Sequence, residues 1–302
     1  QSNPNIQSVS VWGGEKNDPP MYGKVFISLN PIAGQVITEQ DKDTIKNTII
    51  DPKTPVAIIP EFVDPEYTYI QLEVTSVFNP KETSLTKGQI EAEIKTQIDN
   101  YFSLSLNKLN KSFYYSRIHD RINGALESII STNLQLGLQK RVKPDLNLAK
   151  NYTVRFNQKL QPREISSTFF NIQIANIVYK AILKDVPNAD VVAPLYNGQG
   201  VVNAVTSDGS IIGQVGTIDY DSGTLELPSM VITSLYGTES ILRINVKPHD
   251  SIKDITTQAL IRTSDTSTAA VVAKPSRNTV LIQDDSILNS TINTESGVKI
   301  TA

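Results

Sequence analysis

The chain of 302 residues contains no cysteine, two histidines and a single tryptophan. Without thiols it has no disulfide, no Cys-based zinc site and no thiol nucleophile, and it suits assembly in a reducing cytosol. Two histidines fall short of the roughly four ligands that zinc usually takes. No apolar run approaches the roughly 20 residues that span a bilayer, so no membrane partner is expected. A net charge of −3 is small for this length and argues against attraction of the whole chain to nucleic acid or lipid. No Gly-rich phosphate loop follows a predicted strand, and no fixed-period repeat runs through the sequence. The opening residues, Gln-Ser-Asn-Pro-Asn, lack an initiator Met, a basic region and an apolar region. They read as the start of a fragment or processed product, without a signal peptide.

What remains is a globular composition. The apolar fraction, 39%, is low but sufficient for a core, and the length suggests about two domains. The chain is organised around Lys24–Leu29, where Val25, Ile27 and Leu29 alternate with Phe26 as in a strand. Pro19 and Pro20 lack N–H donors and deliver the chain to that strand without joining its ladder. Thr38 reads as the N-cap of a short helix with Ile45 and Ile49 on one face, ending before Pro52. A β stretch beginning at Val56 and a turn over Glu61–Pro65 are expected next. Tyr67–Phe78 alternates, with Thr68, Ile70, Leu72 and Val74 as its core face.

Thr86 and Gln89 form a capping box, with Leu85 and Ile90 placed as a hydrophobic staple. The helix they start carries Ile90, Ile94, Ile98, Tyr101 and Phe102 on one stripe. A second helix is predicted from Ser116, with Ile118 and Ile122 inward and Gly124 as its stop. Ala125–Leu138 returns to alternation, with Ile130, Thr132, Leu134, Leu136 and Leu138 on one face, and Asn151–Phe156 is a further strand. The order is β-α-β-β-α-α-β-β. It predicts an α+β fold, a mixed or antiparallel sheet with helices on one face.

Beyond Gln161-Pro162-Arg163 the helical content falls. Ile165–Leu183 has mixed spacing and reads as a strand followed by a short helix that ends before Pro187. Gly216–Leu227 is the clearest hairpin, with Asp221-Ser222-Gly223 as its turn. Ser240–Val246 is another strand. From Ser251 onward Thr, Ser, Asp and Asn dominate, broken by β-like runs at Val271–Val272 and Thr279–Ile282. The expected division is an extended N-terminal arm over 1–19, an α+β domain over 20–160, a β-rich domain over 161–250 and an extended or β C-terminal segment over 251–302.

Candidate chemistry is sparse. His119 sits between Arg117 and Arg121 beside Asp120, and reads as a helix-face residue in a salt-bridged patch rather than a general base. His249 reads as a turn residue. Glu15 and Asp18 near Trp12 superficially fit a sugar site, but a Gly- and Pro-flanked stretch holds no fixed separation between carboxylates. Asp219, Asp221 and Asp250 belong to turns. Lys108, Lys111, Arg117 and Arg121, interleaved with Phe113, Tyr114 and Tyr115, read as outward cations around core aromatics rather than a nucleic-acid patch. The expectation is no enzyme, no catalytic residue, no cofactor and no metal.

The string Trp-Gly-Gly-Glu-Lys-Asn-Asp-Pro-Pro-Met-Tyr-Gly-Lys-Val-Phe-Ile, residues 12–27, resembles the baseplate wedge proteins of T-even-type contractile-tailed bacteriophages, within the broader baseplate J-like family. The resemblance extends through the helices after Thr86 into the β-rich half, as the C-terminal portion of a longer protein. It implies a structural virion protein of the tail baseplate, assembled in the host cytoplasm. Such a subunit would link wedges into the ring around the hub and transmit the change that triggers sheath contraction. It implies other wedge proteins and further copies of this chain as partners, and no catalytic residues. The alternative is a carbohydrate-binding or glycan-hydrolysing tail module. Self-association, most simply as a homodimer, is expected through the chain's ends, with Trp12, Tyr22, Ile287 and Leu288 as interface residues.

Overall fold

The structure is a computed structural model. It describes residues 5–16, 20–32, 35–53, 58–106, 108–109, 111–188, 197–236 and 240–250, with the backbone alone at Glu66 and Ser105. It also describes the backbone of residues 271–284, 293–294 and 298–299.

Three strands open the chain. β1 (Ile6–Gly13) pairs antiparallel with β2 (Lys24–Pro31). Helix α1 (Glu39–Ile45) then leads to β3 (Ile59–Val63), which lies parallel to β2. Lys24–Leu29 is therefore a central strand as expected, but among the described residues its sheet is made of β1, β2 and β3. The reading of the chain as organised around this strand is corrected to that extent, since the next strand, from Glu66, belongs to a separate sheet. Glu61, expected in a turn, is paired with Phe26 inside β3. Thr38 does cap α1, and Asp41 reaches back to its backbone N–H at 2.9 Å. The helix then loosens into a π-helical turn over Lys46–Ile50 and a 3-10 turn over Asp51–Lys53. That change of period rotates Ile49 outward, and it stays exposed instead of sharing a buried face with Ile45.

The second sheet begins with β4 (Glu66–Phe78). Helices α2 (Lys87–Tyr101) and α3 (Tyr115–Asn123) follow, then β5 (Ile129–Val142), antiparallel to β4. Gln89 accepts from the Thr86 backbone N–H at 2.8 Å, closing the predicted capping box, although Leu85 remains exposed. Ile90, Ile94, Ile98 and Tyr101 of α2 and Ile118 and Ile122 of α3 are buried. They share one core with Ile70, Leu72 and Val74 of β4 and Leu134, Leu136 and Leu138 of β5. Ile27, on the first sheet, is buried outside that cluster. A bulge opposite Val77/Phe78 shifts the register, so Ile129 is buried and Ile130 is turned to solvent, against expectation.

Six strands make the third sheet: β6 (Ala149–Arg155), β8 (Phe170–Ile174), β9 (Ile177–Pro187), β10 (Gln199–Val205), β11 (Ile211–Asp219) and β12 (Thr224–Leu235). Their order is β11-β10-β9-β8-β12-β6, and β11 also pairs with β12, so five strands close a circuit with β6 beside it. Closure leaves those five strands without a bare sheet edge between them. The predicted short helix before Pro187 is absent, because Ala175 and Asn176 both take positive φ (49° and 66°) and fold β8 directly onto β9. Two such residues make a tight hairpin turn. The apparent helical spacing of Ile174, Ile177 and Val178 spans that turn. The Gly216–Leu227 hairpin forms as predicted, with Gly223 at φ 70°.

The chain then returns. β13 (Leu242–Val246) pairs with β5 and with the short β7 (Ser166–Ser167). β14 (Val271–Asp284) runs parallel to β4, giving the order β14-β4-β5-β13-β7. The β-like runs at 271–272 and 279–282 thus belong to one strand laid along β4. Two-residue strands β15 (Asn293–Thr294) and β16 (Val298–Lys299) pair with each other. The architecture is α+β: among the described residues there are three α-helices, mixed and antiparallel sheets, and a β-rich later part. Phe156, Phe170, Tyr220 and Ile232 of that later part join the same core as the helices.

Candidate functional site

The N-terminal sheet gathers the features that point outward. In β1, polar and apolar residues are inverted with respect to solvent. Ser10 is buried and Ser8 accepts from the Leu109 backbone N–H at 2.9 Å, while Val9 and Val11 are 50% and 59% exposed. Among the described residues no strand pairs with the far edge of β1. A strand with Val9 and Val11 in water, and with an edge that no described strand pairs, is a surface suited to another protein.

The connection from β1 to β2 presents a second residue. Met21 N–H donates to Gly14 at 2.8 Å, closing the loop. A side chain at position 14 would place Cβ 1.9 Å from the Met21 carbonyl oxygen, so only glycine fits. Tyr22 follows and is 82% exposed. Trp12 is different: it stacks on Phe26 with centroids 6.0 Å apart and planes at 22°, and packs with Tyr67 against Leu109. Of the four residues expected at a self-contact, Tyr22 is open and Trp12 is engaged within the chain. Ile287 and Leu288 lie outside the described residues. Val9 and Val11 were not singled out from sequence, yet the Ser-Val-Ser-Val alternation of residues 8–11 carries the signal.

The other candidates resolve into structure. His119 Nε2 lies 3.2 Å from the Thr132 carbonyl and Nδ1 lies 3.4 Å from Asn123, with the ring stacked on Tyr115. It joins α3 to β5. Burial pushes the Tyr115 phenol above its ordinary value, and its hydroxyl donates to the Leu134 carbonyl at 3.1 Å. His249 is exposed, and its backbone N–H donates to Lys159 at 2.9 Å. Asp219 accepts from the backbone N–H groups of Asp221 and Ser222, the turn chemistry expected of it. Glu15 lies in a 3-10 turn (Gly14–Lys16), and Asp18 is outside the described residues. Phe113 is fully buried, with Arg117 over Tyr114 at 4.6 Å and Arg121 over Tyr101 at 6.0 Å. Among the described residues no group of three or more His, Cys, Asp or Glu side chains is placed to hold a metal.

Comparison with known proteins aligns with these units. Residues 1–63 match the baseplate structural protein gp6, C-terminal domain I, and residues 66–141 match its C-terminal domain III. The junction falls between the end of β3 at Val63 and the start of β4 at Glu66. Domain I is thus the three-stranded sheet with α1, and domain III is β4, the two longer helices and most of β5. The baseplate wedge protein gp6 of Enterobacteria phage T4 is 24% identical over 168 residues, which cover 55% of this chain and 24% of that protein. The match spans about a quarter of that relative's length. Residues 1–141 therefore carry C-terminal domains I and III of the baseplate structural protein gp6 family, and the chain is a distant homologue of the T4 wedge protein.

Proposed function

We propose that this chain is a structural subunit of a contractile-tail baseplate wedge, without catalytic activity. It links neighbouring wedges into the ring around the hub and carries the conformational change that triggers sheath contraction. Its partners are further copies of itself and other wedge proteins. The observation that carries the reading is the coincidence of the two gp6 domains with two folded units that meet between Val63 and Glu66. The inverted pattern of β1 supports it, because Val9 and Val11 offer a contact face that is exposed among the described residues. The cohesive core running from the helices into the closed β-circuit supports a mechanical role, since a close-packed body transmits strain rather than absorbing it.

The test is cryo-electron microscopy of purified tails in extended and contracted forms, with mass spectrometry of the same particles. The expected result is this chain in every wedge, with the β1–β3 sheet contacting a neighbouring subunit and its position changing on contraction. Its absence from the baseplate would end the reading. A position that is identical in both forms would remove the transmitting role and leave the linking one.

A further inference from the structure

The face of the second sheet turned away from the helices is polar, and its charge is uneven. At one end Tyr67 and Tyr69 of β4 stand beside Arg141 of β5. The register places Tyr69 opposite Gln139, and Arg141 opposite Arg243 of β13. A cleft of about 380 Å³ opens here, lined by Tyr67, Tyr69, Arg141, Lys143, Thr153 and the buried Lys140. Every charged residue among the described lining is a cation. The nearby Asp64 is occupied by Lys42, 3.1 Å away.

Arg141 is positioned rather than loose. Its guanidinium lies 3.7 Å from the Tyr69 ring centre, and its Nε donates to Gln139 Oε1 at 3.0 Å. Gln139 is fixed in turn by donating to Asn245 at 2.7 Å. A guanidinium held flat by stacking and by its Nε presents its terminal nitrogens as a planar fork, which matches a carboxylate. Lys143, exposed at the rim, adds a second cation without fixed geometry. Burial first, then the charges of Tyr69 and Asp64, hold the Tyr67 phenol above its usual value, so it remains a neutral hydroxyl.

We propose that this cleft docks a carboxylate-rich segment of a partner protein, with Arg141 taking one carboxylate in a two-point contact and Lys143 a second. Such a segment matches a lining whose described charged residues are all cations. A single nucleic-acid strand fits less well, because the aromatic face on which a base would stack is covered by Arg141.

The test uses the full chain and a fluorescein-labelled hexaglutamate peptide, read by anisotropy, with hexaglutamine and oligothymidine as comparison probes. Hexaglutamate is expected to bind with an affinity that falls as salt rises. The double variant R141Q/K143Q should weaken it about tenfold, the size of two partly exposed charge pairs. Lys247→Gln, which removes a cation at the far end of the same face beside Glu164, should leave it unchanged. Amide shift mapping on the wild-type chain locates the contact without any variant, and changes should centre on residues 67–69 and 139–143. Absence of binding, equal loss in Lys247→Gln, shifts centred elsewhere, or tighter capture of oligothymidine at this cleft would each overturn the proposal.

Discussion

The hydroxyl of Tyr220 donates to Asp185 Oδ2 at 2.7 Å, with Tyr220 fully buried and Asp185 6% exposed. The same carboxylate accepts the backbone N–H groups of Arg163 at 2.6 Å and Ile165 at 2.8 Å. One buried anion on β9 thus ties the turn after β11 to the segment that enters β7. Three donors satisfy a charge that would otherwise be costly to bury. Gly200 makes room for the arrangement, since a Cβ there would sit 2.6 Å from the Tyr220 oxygen.

Removing the donor and removing the acceptor should therefore differ. Tyr220→Phe leaves Asp185 with two backbone donors and should cost about 1.5–3 kcal/mol, the range for hydrogen bonds to charged groups. Asp185→Ala strands three donors at once and should cost more. Urea denaturation of both variants checks the order. Equal costs would mean that the Tyr220 bond carries all of the carboxylate's contribution.

The helix-on-sheet core gives a second expectation. Ile94 is fully buried in the core that holds Leu72 and Leu136. Ile94→Ala should cost roughly 2–5 kcal/mol by cavity formation. Leu104, in the π-helical turn after α2, is 67% exposed, and its replacement by Ala should stay within about 0.5 kcal/mol. Thermal unfolding of the two variants tests the contrast, and indistinguishable melting points would contradict the burial.

The α2 stripe was legible in sequence because one helix buries one face, so its spacing and its capping box agree. Tyr67–Phe78 was legible for the same reason at period two. Elsewhere the pattern was set by partners distant in sequence. Ile130 changes face because of a bulge opposite Val77, and no local signal marks a bulge. The β8–β9 hairpin was obscured because Ala175 and Asn176 are not the Asn-Gly type of turn that announces itself. The three-stranded sheet was hidden because a central strand such as Lys24–Pro31 reads alike whichever sheet it joins. The outward face of β1 was present in the Ser-Val alternation, but nothing in a single strand says which of its two faces is wet.

Glycine at 223 is required on two counts, and glycine at 209 on one. Gly223 has φ 70° and a Cβ there would lie 2.3 Å from the Gln158 carbonyl oxygen. Gly209 has φ 92° with open space around it. Gly209→Ala should cost roughly 1–2 kcal/mol from the left-handed backbone alone. Gly223→Ala should cost more, because the backbone of residue 158 must also move. Chemical denaturation ranks them, and the reverse order would be inconsistent with the hairpin geometry.

Asp41 gives α1 a dependence on pH. The Thr38 hydroxyl, first, and the Thr38 backbone N–H, second, hold its carboxyl below the ordinary aspartate value. A depressed folded-state value means that the contribution is present above the unfolded value and is lost as pH falls through the lowered one. The Thr38 amide resonance should therefore titrate in acid below the ordinary carboxylate range. In Asp41→Asn that titration should vanish. Observation of the Thr38 transition above the ordinary range would reverse the sign and discard the assignment.

Self-association is the last expectation, and the structure sharpens where to strike it. The proposed contact uses the chain's ends, and at the N-terminal end it falls on Val9, Val11 and Tyr22, all exposed. Packing of the outer face of β1 on the same face of a second copy, about a two-fold axis, would cover both valines. A stable contact of this kind should bury roughly 1,200–2,000 Å² in total. Val9→Asp/Val11→Asp places charges on the contact face and leaves Ser8, Ser10 and Trp12 on the inner face untouched. It should shift sedimentation equilibrium towards monomer with an unchanged circular dichroism spectrum. Trp12→Ala should behave differently, lowering the melting temperature, because that ring packs on Phe26 and Leu109 inside the chain. Ile287→Asp/Leu288→Asp tests the C-terminal half of the proposal separately. A wild-type chain that stays strictly monomeric at tens of micromolar would refute self-association of this chain by itself. Dimers that survive Val9→Asp/Val11→Asp but dissolve in Ile287→Asp/Leu288→Asp would move the contact away from β1 to the other end.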